Sequence, residues 1–388
     1  MKVDASAPLI SFGPRVRKSP FFEATLRCGA RTFSIYNQTY LVTSYGDPVA
    51  EYWSLVNDVT LWDVTCQRQV EISGPDAFRF VQFLTPRDMS NCAIGQCQYM
   101  PLTNADGGIV NDAVLLRIEA DRFWLSPGDG DVLWWAMGVS VNSGMDVNIA
   151  EPDVSPLQLQ GPKSPLVARD LFGDWAVELK YYRLVETELE GIPLVVSRTG
   201  WSGELGYEVY LRDGQYGDQL WELIMQAGEP YNIAPAAPNT IRSVEGGLLS
   251  YRSDITLSDN PYTLGMDRFV DLDQPDDFIG REALRKIREA GPARRLIGIE
   301  IHGEPLPGFN EEFWTISDGG EKIGHVTRCI YSPRLQKNIG WANVRSEYAA
   351  IGTDFVVASP HGRLAATVCE APWFAPQIKI PDELKKSG

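Results

Sequence analysis

Two acidic residues stand where acids are hard to keep. In NADGGIVNDAVLLR (residues 104–117) a glycine-rich turn leads into a strand, and alternate residues Val110, Asp112, Val114, Leu116 and Ile118 share one face. Asp112 is the one charged residue on that apolar face. A carboxylate there costs free energy unless it is bonded or paired, and burial raises its pKa, so it is a candidate for proton or charge chemistry. An Asp near a strand's start that bonds turn amides reads equally well. The second acid is Glu208, in TGWSGELGYEVY (199–210), where a glycine-punctuated turn runs into an alternating stretch. Tyr207, Val209 and Leu211 read as the core side. Glu208 and Tyr210 fall on the other, beside a loop carrying Trp201. A Trp, a Glu and a Tyr around a flexible turn is the composition of a small-ligand pocket. A hairpin with an ordinary exposed polar face is the competing reading.

Other chemistries find few residues to work with. The three histidines, His302, His325 and His361, all come late, and the six cysteines (Cys28, Cys66, Cys92, Cys97, Cys329, Cys369) are scattered. No cluster has metal-ligand spacing, so no metal site is expected, and free thiols in a reducing, cytoplasmic setting are. There is no GxGxxG, no GxxxxGK[ST] loop and no GxSxG elbow. The net charge of −16 argues against nucleic acid and against an anionic membrane surface. No run approaches the ~18–20 apolar residues of a membrane span, and the N-terminus has no secretory apolar segment.

The elements that must hold the two acids can be read in order. At 388 residues, two or three domains are expected. Residues 1–20 read as an extended arm broken by Pro8, Pro14 and Pro20. Phe33, Ile35 and Tyr36–Asn37–Gln38 suggest a strand and a polar turn. Asp47 caps a helix that starts at Pro48 and presents Val49, Tyr52, Trp53 and Val56. Residues 61–72 read as a strand with a polar interruption. From Gln69 to Gly138 the order strand, helix, three strands, helix predicts an α+β unit. LQLQGPKSPLVARDL (157–171) reads as strand, turn and helix, residues 217–228 as an amphipathic helix, residues 241–251 as another, and 278–290 as a charged helix. After Arg295 short strands alternate with turns, as in an all-β domain.

Four stretches now carry a resemblance: LWDVTCQRQVEISGPDA (61–77), NADGGIVNDAVLLR (104–117), TGWSGELGYEVY (199–210) and NPYTLGMDRFVDLDQPDDFIGREAL (260–284). In order and spacing they resemble the tetrahydrofolate-dependent aminomethyltransferase family, the family of the glycine-cleavage T-protein. The later Gly324–Thr327 and Tyr331–Pro333 fit its C-terminal β domain. Within the family, Tyr36–Asn37, Trp62–Val64, Leu159–Ser164 and the Trp201–Ser202 turn resemble dimethylsulfoniopropionate demethylases. The T-protein typically has Tyr-Thr where Trp201–Ser202 stands.

The resemblance implies an α+β, three-domain cloverleaf with a central hole and a C-terminal all-β, barrel or jelly-roll-like domain. The implied division is residues 1–60 with 152–255 (folate-binding), 61–151 with 256–290 (α+β), and 291–388. It implies an enzyme with tetrahydrofolate as methyl acceptor and a small cationic methyl donor, a sulfonium such as dimethylsulfoniopropionate. A quaternary ammonium or methoxy donor, or T-protein activity in glycine cleavage, is the alternative. Asp112 matches the catalytic carboxylate near the reacting pterin nitrogen, and Glu208 the folate-binding carboxylate, with Tyr99 also on the folate side. Trp201, Tyr210 and Ser126 match substrate-pocket positions. A monomer or homodimer is expected. Two positions depart from the family pattern. Gln98–Tyr99 replaces two adjacent aromatics, which removes one wall of a cation cage. Ser243-Val-Glu245, with Arg242 one place early, replaces Arg-x-Glu and removes a charge near the folate path. Arg328, Arg334 and Lys337 form a candidate basic patch for a polyglutamyl folate tail; a solvated turn surface is the alternative reading.

Overall fold

The computed structural model describes residues 12–385. The start of the N-terminal arm, Pro8 included, lies outside the described residues. Two sheets and a barrel carry the rest. A six-stranded sheet runs in the spatial order Leu184–Leu189, Ile192–Ser197, Gly206–Leu211, Ser155–Gln160, Val59–Asp63, Ile233–Pro235. A five-stranded sheet runs Gln96–Thr103, Ile109–Arg117, Arg122–Pro127, Val70–Ser73, Asn148–Ala150. Six strands between Arg294 and Cys369 close into a barrel. Each body has its own apolar centre: Leu61, Leu159, Val209 and Trp221; Ile72, Phe80, Met100 and Leu115; Ile299, Ile316, Val326 and Val357. No helix among the described residues is long and apolar enough to cross a membrane.

The segment 61–72 holds a sharper break than its pattern suggests. Its two ends, Val59–Asp63 and Val70–Ser73, belong to different sheets, and the polar stretch between them is the crossing. The helix Pro48–Asn57 starts as expected, with the Asp47 carboxylate accepting from the Val49 and Ala50 amides. Its buried face differs: Glu51, Tyr52 and Leu55 point inward, while Val49 and Trp53 are exposed. The cause is Glu51, which accepts from Ser44 Oγ at 2.8 Å and from the Tyr45 and Ala237 amides at 2.8 and 3.0 Å, and so turns the helix acid-side in. The helix expected over 241–251 spans Thr240–Gly246 and stops at Gly247, whose φ of +67° is a left-handed cap. A helix at Phe22–Arg27, not expected from the sequence, follows Pro20.

Two local devices aim the site. The hairpin Thr32–Tyr36/Thr39–Ser44 turns on Asn37 and Gln38, both at positive φ (+46° and +57°), as a two-residue turn of matching twist requires. Asn37 pins the tip by donating from Nδ2 to the Cys66 and Gly128 carbonyls at 3.0 and 2.9 Å. The second device is a bulge. Leu102 pairs with Asn111 and Thr103 with Ile109, so the alternation of the strand changes phase at Val110. Val110 therefore packs against the five-stranded sheet's own core and does not share the face of Asp112, contrary to a simple count by twos.

The turn of residues 199–206 is packed and not loose. The buried Gln160 side chain lies against both Gly200 and Gly206, where an added Cβ would fall 2.2 Å from its Oε1. Gln160 Oε1 accepts from Ser202 Oγ at 2.6 Å and its Nε2 donates to the Tyr207 carbonyl at 3.1 Å. Gly206→Ala should therefore cost about 1–3 kcal/mol of stability. In denaturant titrations the double variant Gly206→Ala/Gln160→Ala should lose less than the sum of the two single losses. Additive losses would show that the two positions do not compete for one space.

Candidate active site

The two sheets meet along an apolar seam. Cys97, Leu116, Ile118 and Trp124 from the five-stranded sheet pack against Val195 and Tyr210 from the six-stranded sheet. Leu116 continues the face of Asp112, and Tyr210 the face of Glu208. Strand alternation therefore brings both carboxylates to the same side of the seam. There a cavity of about 2130 Å³ opens, walled by both sheets, the Thr32–Ser44 hairpin and the barrel. Of the six residues singled out in the sequence, Tyr99, Asp112, Ser126, Trp201 and Glu208 line it. Tyr210 is fully buried behind Glu208.

Glu208 is buried, at 3% exposure, and held from three sides. Gln158 Nε2 donates to Oε1 at 2.8 Å, Tyr210 OH donates to Oε2 at 3.1 Å, and Thr199 Oγ1 donates to Oε2 as well. Burial raises its pKa, and the three donors work against that rise. Gln158 also accepts from the Trp201 amide at 3.3 Å, so it fixes the turn relative to the acid. Two glutamines on one face of LQLQ, in a strand that is otherwise apolar, were the sequence signal for this support.

Asp112 is served differently. Tyr99 OH donates to Oδ2 at 3.0 Å, and no other side chain among the described residues donates to it. Burial, opposed by the Tyr99 bond, pushes its carboxyl up to about 7. The Tyr99 hydroxyl also lies 3.8 Å from Met266 Sδ. Ser126 accepts from Gln69 Nε2 at 2.9 Å.

Trp201 is anchored through Nε1 to the Leu249 carbonyl at 3.1 Å. The Arg328 guanidinium stands 5.9 Å from its ring centroid. Arg328 comes from the barrel, pairs with the buried Asp254, and donates to Ser243 Oγ at 2.9 Å. A guanidinium from the barrel thus stands at the Ser243 hydroxyl, while the helix's own Arg242 is paired with Glu204. Gln98 pairs with Leu115 and faces the core of its own sheet, away from Tyr99, so it takes no wall from the cavity. At the candidate basic patch, Arg328, Arg334 and Lys337 are each bound to a carboxylate: Asp254, Glu245 and Glu300. Tyr182, which sequence reasoning passed over, also lines the cavity, with a φ of +59° that a bulky residue adopts only under constraint.

Known proteins resemble the chain over nearly its whole length. Residues 21–274 match the GCVT N-terminal domain, and residues 294–374 match the glycine-cleavage T-protein C-terminal barrel domain. The dimethylsulfoniopropionate demethylase DmdA of Ruegeria pomeroyi is 37% identical over 359 residues, covering 92% of this chain and 98% of that protein. An aminomethyltransferase of Symbiobacterium thermophilum is 30% identical over 371 residues, covering 92% and 97%. The structure of aminomethyltransferase T of the Bartonella henselae glycine cleavage system superposes with a TM-score of 0.84 at 21% identity, over 94% of this chain and 99% of that one.

Asp112 leaves a mark on stability that can be measured without any ligand. Its folded pKa near 7 lies above the ordinary value of 3.8, so its contribution favours folding below that value and is lost as pH rises through about 7. Asp112→Asn should be more stable than the parent at pH 8, with the gap closing towards pH 4. Denaturation midpoints at the two pH values check this. An equal shift at both would show that burial of the charge is not its cause.

Proposed function

Because this chain belongs to the glycine-cleavage T-protein family and is an enzyme, we propose that it is a tetrahydrofolate-dependent demethylase. The methyl group comes from a small sulfonium compound, dimethylsulfoniopropionate, and the products are 5-methyltetrahydrofolate and methylthiopropionate. One observation carries the reading: two differently held carboxylates from facing sheets share a cavity with room for two reactants. Its volume exceeds the ~300–1,000 Å³ of an ordinary small-ligand pocket. The likeness to the demethylase over nearly its whole length supports the choice of donor. The six free cysteines support a reducing, cytoplasmic setting.

The chemistry suits these residues. Displacement at an onium methyl breaks one carbon–sulfur bond, whose electron pair stays on sulfur in a neutral thioether, and forms one carbon–nitrogen bond. Tetrahydrofolate supplies the uncharged amine. The residues need to position the reactants and to meet the positive charge left on nitrogen. Asp112, whose carboxyl burial pushes up to about 7, stabilises that charge and takes the proton. Glu208 keeps Oε1 with a single donor, Gln158, and so can accept an N–H of the pterin. Trp201 offers an aromatic face to the onium, worth roughly 0.5–2 kcal/mol. Arg328 beside it is neutralised by Asp254 and does not repel the donor with a free charge.

Tetrahydrofolate and dimethylsulfoniopropionate with the purified protein should yield methylthiopropionate. Failure of every small onium compound to lose a methyl group would overturn the reading. Asp112→Asn should lower turnover by about 10²–10⁴-fold with folate affinity little changed. In the parent, kcat/KM should rise with pH through a limb near 7, and Tyr99→Phe should move that limb to higher pH, since it removes the bond that favours the carboxylate. Glu208→Gln should mainly weaken folate binding, read by titration, and Trp201→Ala should raise KM most for cationic donors. The match to aminomethyltransferases favours a second reading, aminomethyl transfer from a lipoyl-bearing protein. Ammonia release that requires such a partner would select it.

A further inference from the structure

Two guanidinium groups share one ring on the cavity wall. The Cζ atoms of Arg268 and Arg87 lie 4.7 and 5.0 Å from the centroid of Phe269. Tyr99 packs on the same ring at 5.1 Å and bonds Asp112 through its hydroxyl. Arg268, Phe269, Met266 and Tyr99 all line the cavity. Arg87 stands half-buried behind them and donates to the Tyr99 carbonyl.

Neither arginine has a carboxylate partner among the described residues. Asp88, next to Arg87, spends its oxygens on the Ser90 amide and hydroxyl at 2.8 and 2.9 Å. Four buried or half-buried arginines are paired with a carboxylate, Arg242 with Glu204, Arg328 with Asp254, Arg334 with Glu245 and Arg68 with Glu151, while the buried Arg198 is met by the Gly206, Leu179 and Ile378 carbonyls. Arg87 has the Tyr99 carbonyl, and Arg268, exposed on the cavity wall, is left with the Phe269 ring, so two like charges stand side by side without an anion in a chain of net charge −16. Burial and the charge of Arg268 both press on the Arg87 guanidinium, lowering its pKa. An anion between or beside the two would relieve that pressure, and a planar guanidinium fits a carboxylate in bidentate fashion.

We propose that Arg268, backed by Arg87, is a carboxylate subsite of the cavity that recognises the anionic end of a bound reactant. This rests on the methyl-transfer reading, in which both reactants carry a carboxylate: the donor its own, tetrahydrofolate its glutamyl group. Arg268 specifies by charge what the aromatic walls hold by shape. It lies one ring away from Tyr99, and so from Asp112, on the segment Leu264–Phe269 that forms one wall of the cavity.

Four ligands separate the sources: tetrahydrofolate, tetrahydropteroate (the same pterin without glutamate), dimethylsulfoniopropionate and its methyl ester. Their binding to the full-length protein and to Arg268→Gln is measured by calorimetry. The variant should weaken one carboxylate-bearing compound about tenfold and leave its carboxylate-free counterpart within about twofold. Which pair splits identifies the source, and Arg268→Lys should recover part of the loss. Unchanged affinities for all four, or equal losses with and without the carboxylate, overturn the subsite. Turnover is read on the same samples. A parent that binds tetrahydrofolate more tightly than tetrahydropteroate but transfers no methyl group sinks the methyl-transfer reading and leaves the subsite standing. A parent that binds none of the four overturns both.

Discussion

A single buried carboxylate joins the parts that wall the cavity. Glu245, with no exposed side-chain surface, sits in the short helix Thr240–Gly246 and accepts from Tyr52 OH, Ser332 Oγ and Arg334 Nη2 at 2.9, 2.6 and 2.9 Å. Its backbone carbonyl accepts from the amides of Trp373 and Phe374. The helix Pro48–Asn57, the barrel and the segment that follows the barrel are thereby tied to one residue. Removing one partner of a buried ion pair typically costs about 3–5 kcal/mol, because the other charge is left stranded. The Arg328–Asp254 pair repeats the arrangement a short way along the same contact and carries it to the cavity surface beside Trp201. The barrel is thus part of the wall and not an appendage.

Within that frame, donor count separates the two carboxylates. Glu208 receives three side-chain donors and Asp112 one. Both are desolvated, and desolvation raises both; the number of compensating bonds decides how each can be used. The well-bonded acid is suited to holding a ligand. The poorly bonded one is left near neutrality, where a proton can move on or off at little cost.

Much of this was legible in the chain. The strand faces of residues 112–118 and 207–211 follow from alternation, and the apolar residues around Asp112 mark it as an acid in an expensive place. The turn of residues 199–206 was visible as glycines, but their reason was not: Gly200 and Gly206 make room for Gln160, some 40 positions earlier. Periodicity also could not tell that Glu51 would turn its helix inward, because a buried acid is worth its cost only when Ser44 and Ala237 are there to bond it. The bulge at Val110 and the reach of Arg328 to Ser243 depend on partners far away in sequence, and no local pattern encodes them. Counting basic residues in the 328–337 stretch could not show their pairing for the same reason, since their acids lie in other elements.

The pinned hairpin tip bears on where the chamber can open. Asn37 binds carbonyls 29 and 91 positions away, and Tyr52 reaches Glu245 across 193 positions. Such contacts carry a loop-closure cost, as do the pairings of Val59–Asp63 with Ser155–Gln160 and with Ile233–Pro235. Asp112 and Arg87 lose their hydration only where the walls of the cavity meet, because both sheets, the hairpin and the barrel surround that space. Their desolvation cost falls on the docking of those walls, which makes that contact the natural place for the molecule to open. Partial loosening at the hairpin or barrel would re-wet the charged groups while leaving all three apolar centres intact, so breathing of the reaction chamber need not threaten the fold that surrounds it.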